Sequence, residues 1–260
     1  MFKMSAAASA AKTKKMSAAA TVAKAKRVYF IRHGQSVANQ RKCDSPAERD
    51  ATLTELGRQQ AACWHAPGAL EKIFLVRGTP EVVLCSPLRR AMETAALVFE
   101  NENDISIECT RLARERWWTH YQCVGSEYDE TVGFAGGLGR QIGGLEDLSR
   151  LDKFWNPERE VDEIIRVTKE KTAADIAERK SKFEPSAREL DADHLSELTN
   201  FLIKHDAETL AVACHWGVIN GLTGQSPNNC DIVVADLNTA DRSYSVVDQL
   251  EPPGDVERSI

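Results

Sequence analysis

Three short segments of this chain carry side chains suited to gripping a phosphate group: Arg32-His33-Gly34-Gln35-Ser36, Ser86-Pro87-Leu88-Arg89-Arg90 and His215-Trp216-Gly217. An arginine presents a planar fork that holds phosphate oxygens in pairs and keeps its charge at any physiological pH. A histidine serves either as a neutral nucleophile or as a cationic donor near neutral pH, depending on its neighbours. Glycine at position 34 lets a ligand come close to the backbone. Moving a phosphoryl group needs little covalent machinery beyond placement and charge neutralisation. A leaving alcohol still needs a proton, and Glu115, in Arg111-Leu112-Ala113-Arg114-Glu115, is the candidate acid.

Each of the three segments follows an apolar run. Residues 28–31, 81–85 and 210–214 read as buried parallel strands, and 105–109 as a further strand. A helical pattern opens at Thr54 and stops at Pro67-Gly68, and a second runs over about 88–99 with Pro87 in its first turn. Alternating strands and helices predict a three-layer α/β sandwich with a mainly parallel, doubly wound sheet. In such a sheet, sites form at the carboxyl ends of the strands, so segments distant in sequence converge on one crevice. Helices are also expected over 158–182 and 192–205, and residues 232–237 and 243–249 read as a hairpin or sheet edge.

Residues 117–157 break this rhythm. With Trp117, Trp118, Trp155 and few periodic apolar positions, they predict an irregular insertion over the active-site end of the sheet. The run Gly136-Gly137-Leu138-Gly139 follows no strand, which argues against a dinucleotide loop. His120 and Cys123 are the nearest approach to a metal pair, and no second pair stands at zinc spacing. The seven cysteines are scattered and odd in number, which favours a reducing compartment. No metal and no cofactor is expected.

Residues 1–26 lack Asp and Glu and repeat a Lys-Met-Ser-Ala-Ala-Ala unit. Their composition fits a disordered Ala/Lys tail or a targeting peptide, leaving 27–260 as one folded domain. No apolar run approaches the length that spans a bilayer. A net charge of −6 argues against general nucleic-acid binding. A cytoplasmic protein with a small phosphorylated substrate is expected, with organellar targeting as the role of the tail in the alternative.

The segments VYFIRHGQSVANQ, LTELGRQQA, CSPLRRAMETA, LARE and AVACHWG resemble, in order, the histidine phosphatase superfamily, the phosphoglycerate mutase-like proteins. The resemblance covers residues 28–115 and 209–224. It implies that His33 is the nucleophile and becomes phosphohistidine. It implies that Arg32, Asn39, Arg90 and His215 hold the phosphoryl group, with Arg90 rather than Arg89 because it directly precedes Ala91. Glu115 then matches the acid that protonates the leaving oxygen and activates water. Three departures stand out. Trp216 follows the second histidine where glycine is commoner, Glu93 replaces a glutamine, and Arg116-Trp117-Trp118-Thr119-His120 differs from the corresponding stretch of cofactor-dependent mutases. The last favours a metal-independent phosphomonoester hydrolase of the histidine acid phosphatase type over a phosphomutase. Glu127 and Glu130 stand near enough in sequence to compete with Glu115. A non-catalytic interaction module on the same fold is the other alternative; substrate and oligomeric state are left open.

Overall fold

The computed structural model describes residues 24–42, 46–66, 68–115, 121–123, 125–150 and 194–254. Among them, seven strands form one sheet in the order β4-β3-β2-β5-β1-β6-β7. They are β1 (Ala25–Arg32), β2 (Val82–Cys85), β3 (Ser106–Cys109), β4 (Ile142–Gly143), β5 (Thr209–Cys214), β6 (Ile232–Asn238) and β7 (Tyr244–Leu250). The pairs β1·β5, β5·β2, β2·β3 and β3·β4 are parallel, while β6 joins β1 and β7 in antiparallel pairs. The sheet is therefore mainly parallel, as expected. β5, late in sequence, lies between β1 and β2.

Helices cover both faces. On one lie α2 (Glu55–Ala62), α3 (Ala69–Arg77), α4 (Arg89–Val98) and α5 (Tyr128–Gly136), around Tyr29, Ile31, Val83 and Val234. On the other lie α6 (194–204) and α7 (Trp216–Thr223), around Val28, Phe30, Leu84 and Val212. A short α1 (Val37–Arg41) follows β1. Burial from both faces explains why β1, β2 and β5 read as unbroken apolar runs instead of alternating ones.

Several expectations change in detail. β1 begins at Ala25, inside the segment expected to be tail. Thr54 caps α2 by accepting the Gly57 N–H, but α4 starts at Arg89 with Leu88 as its cap, so Pro87 precedes the helix instead of sitting in its first turn. The insertion is not irregular throughout. It contains α5, the edge strand β4 and a 3-10 turn at Leu145–Arg150. The helix expected over 158–182, Trp117, Trp118, Trp155, His120 and residues 1–23 lie outside the described residues.

Candidate active site

The site forms where three parallel strands end side by side. Past the last rung of the ladder, the His33 N–H donates to the Cys214 carbonyl at 3.0 Å and the Ser86 N–H to the Ala213 carbonyl at 3.0 Å. These bonds bring the three phosphate-gripping segments into register. The turn after β1 is held tightly. Gly57, at the start of α2, lies so close to it that a Cβ there would come within 2.1 Å of the Gln35 carbonyl oxygen. Gln35 N–H donates to Gln60 Oε1, and Gly34 N–H donates to Thr94 Oγ1 on α4. The LTELG and RRAMETA segments thus fix the backbone beneath His33. Glu93 serves the same scaffold, since its carboxylate accepts Leu53 N–H at 3.0 Å and Arg58 Nε–H at 2.6 Å.

His33 is buried, and its Nδ1 donates to the Gly34 carbonyl at 2.7 Å. That bond places the ring proton on Nδ1 and leaves Nε2 as the acceptor nitrogen. Arg90 Nε donates to this Nε2 at 3.2 Å. Burial, then the charges of Arg90 and Arg32, hold His33 well below its ordinary value, so the neutral imidazole is favoured. The His215 ring lies 5.1 Å away, centroid to centroid. Its Nε2 meets Ser86 Oγ at 2.8 Å, and among the described residues its buried Nδ1 has no partner. Burial, Arg90, His33 and Arg32 also lower its pKa.

Arg32 donates from Nη1 to the Pro227 carbonyl at 2.8 Å, while its buried Nε has no partner among the described residues. Arg90 Nη1 donates to the Gln122 carbonyl at 2.6 Å. Asn39 accepts from Ser36 through Oδ1 in a reciprocal cap of α1, which leaves its amide N–H groups for the cavity. Glu115 accepts the Gly217 N–H at 3.4 Å, at the start of α7.

A cavity of about 320 Å³ is lined, among the described residues, by Arg32, His33, Asn39, Arg90, Glu115, Gln122, Cys123 and Trp216. His215 stands beside it through His33. The structure therefore brings together Arg32, His33, Asn39, Arg90, Glu115 and His215. Arg89 is elsewhere, tied to Asp50 and Glu130 and lying over the Phe134 ring. Glu127 and Glu130 do not line the cavity; they pair with Arg49 and Arg89. Sequence reasoning had not placed Ser86 as the partner of His215, nor Gln122 beside Arg90. The serine's position one residue beyond β2 is the signal that could have found it. Among the described residues, no three His, Cys, Asp or Glu side chains cluster as metal ligands. No described helix is long and apolar enough to cross a membrane.

A protein of Schizosaccharomyces pombe named a probable phosphatase is 31% identical over 134 residues, which cover 50% of this chain and 59% of that relative. This chain thus spans little more than half the length of the curated relative it matches. The crystal structure of an Escherichia coli protein provisionally named an alpha-ribazole-5'-P phosphatase has the same fold, with a TM-score of 0.51 at 17% identity. The superposition covers 89% of this chain and 99% of that one. The family model described as histidine phosphatase superfamily (branch 1) matches residues 28–132, past Glu115 and well into the insertion, although it stops short of His215. That region holds the strand-end motifs around His33 and Arg90, and over it the chain is similar to the histidine phosphatase superfamily.

Proposed function

We propose that this protein hydrolyses phosphate monoesters through a covalent phosphohistidine at His33, without a metal ion. One observation carries the reading. His33 Nε2 is held unprotonated by the Nδ1 bond to Gly34, while Arg90 stands 3.2 Å from it and Arg32 lines the same cavity. A neutral nucleophile between two guanidinium groups suits attack on an anionic phosphoryl group, whose charge the arginines would neutralise.

In the first step, the Arg90 Nε–H turns from Nε2 to a phosphoryl oxygen, and the freed Nε2 lone pair forms a bond to phosphorus as the ester P–O bond breaks. Glu115, in its acid form, gives its proton to the departing oxygen, and the alcohol leaves. In the second, water attacks phosphorus, Glu115 takes its proton, and the P–N bond breaks to release phosphate and free His33. His215 Nδ1, Arg32 Nε and the Asn39 amide supply donors to the phosphoryl oxygens in both steps. The phosphatase name of the S. pombe relative supports hydrolysis over transfer to a second hydroxyl. His33→Ala is expected to lower kcat by at least about 10³-fold toward any phosphate monoester. Release of inorganic phosphate measured with and without a chelator checks both parts. Activity retained in the variant, or lost on chelation, would refute the reading; phosphate that reappears on another hydroxyl of the substrate would identify a mutase.

A further inference from the structure

The geometry points to Trp216 as the residue that selects the leaving group, and to phosphate monoesters of flat, aromatic alcohols as the preferred substrates. This inference rests on the reading of His33 and Glu115 just given. Arg32, His33 and Arg90 line the cavity and would hold the phosphoryl group, with His215 beside His33; Glu115 and Trp216 line the same cavity. The alcohol must depart on the side of the acid that protonates it, which is Glu115.

Glu115 accepts the Gly217 N–H at the start of α7, at 3.4 Å. Trp216 is the residue immediately before that N–H, and its side chain lines the same cavity. Among the described residues that line the cavity, the indole is therefore the large apolar side chain beside Glu115. It is half-buried, and its Nε1 donates to Ser226 Oγ at 2.9 Å. With its one polar atom engaged, the indole offers the cavity only a π-surface and ring edge. Such a surface attracts another ring in an offset-stacked or edge-to-face arrangement, and gains much less from a small hydroxylated alcohol. A half-buried side chain that already holds one hydrogen bond loses less freedom than an unattached one when the substrate's ring settles against it.

The test compares phenyl phosphate with glycerol phosphate on the full chain. In wild type against Trp216→Ala, the ratio of kcat/KM for phenyl phosphate to that for glycerol phosphate is expected to fall about tenfold, the scale of one aromatic pair. Trp216→Phe, which keeps a ring, is expected to restore most of that ratio. Ser226→Ala, which releases the indole but leaves the wall in place, is expected to lower the ratio by a smaller factor and guards against misfolding of the alanine variant. If the ratio stays constant in all three variants, or if both esters lose activity in parallel, Trp216 is only a wall of the cavity and the inference is wrong. His33→Ala separates the two layers of the argument: it removes activity on both esters if the phosphohistidine reading holds, whatever Trp216 does.

Discussion

In the proposed mechanism the Glu115 carboxylate has two tasks that respond differently to the leaving group. An alkyl alcohol is a poor leaving group and needs the proton, while p-nitrophenol departs without one. Glu115→Gln keeps the Gly217 contact but has no proton to give. It is expected to lower kcat by about 10²- to 10⁴-fold for alkyl phosphates, and to slow p-nitrophenyl phosphate chiefly at the second step. A pre-steady-state burst of p-nitrophenol in the variant is the measurement that checks this, and equal slowing of both steps would count against it. At this scale the sequence was informative but could not rank the acids. Glu115, Glu127 and Glu130 lie within sixteen residues of one another, and their spacing says nothing about direction. In the structure Glu115 lines the cavity and accepts an N–H from α7, about a hundred residues later, whereas Glu127 and Glu130 are exposed and pair with Arg49 and Arg89. Arg90 was distinguishable from Arg89 by its place in the motif, and the structure gives the reason: successive residues at the start of α4 point about 100° apart, one toward His33 and the other toward α5.

Among the elements, the contact between α2 and the turn after β1 matters most to the site. Gly57→Ala would press a methyl group against the Gln35 carbonyl, and neither backbone can yield without moving His33. The expected cost is about 1–3 kcal/mol of stability, together with a loss of activity larger than that destabilisation explains. Urea unfolding and kcat/KM measured on the same preparation would test it; wild-type values for both would mean that the turn is not held as described. The strands were readable because burial on both faces leaves a run such as Val28-Tyr29-Phe30-Ile31 with no polar interruption. α3, α7 and β4 were not readable, for different reasons. α3 exposes Leu75 at 88% and Val76 at 77%, which blurs its apolar face. α7 contains Gly217 and Gly221, poor helix formers, and is held by the burial of Val218 and Ile219. β4 has two residues and no period at all.

For the whole molecule, two of the buried histidines, His33 and His215, couple folding to pH. In the unfolded chain each binds a proton near pH 6.5, while burial and the neighbouring arginines keep the folded forms neutral well below that. As pH falls below about 6.5 the unfolded state binds more protons, so stability drops, by up to ~1.4 kcal/mol per pH unit for each histidine, until the folded forms titrate. Thermal unfolding followed from about pH 7.5 to 5.5 should therefore show a falling Tm, with a shallower slope in His215→Asn; identical slopes would contradict the account. Inorganic phosphate, bound by the folded form alone, should raise Tm in wild type. The joining of distant segments into one site was legible only in outline. The rule that sites form at strand carboxyl ends anticipates that the segments meet, but the place of β5 between β1 and β2, which sets His215 beside His33, is a property of the assembled sheet.

The account rests on a covalent bond between phosphorus and His33 Nε2. Glu115→Gln mixed with p-nitrophenyl phosphate labelled in the phosphoryl group, quenched in alkali and cleaved into peptides, gives the most direct reading. The expected result is acid-labile, alkali-stable label on the peptide that contains His33, and none after His33→Ala. Turnover with no label on His33, or label on another residue, would contradict it.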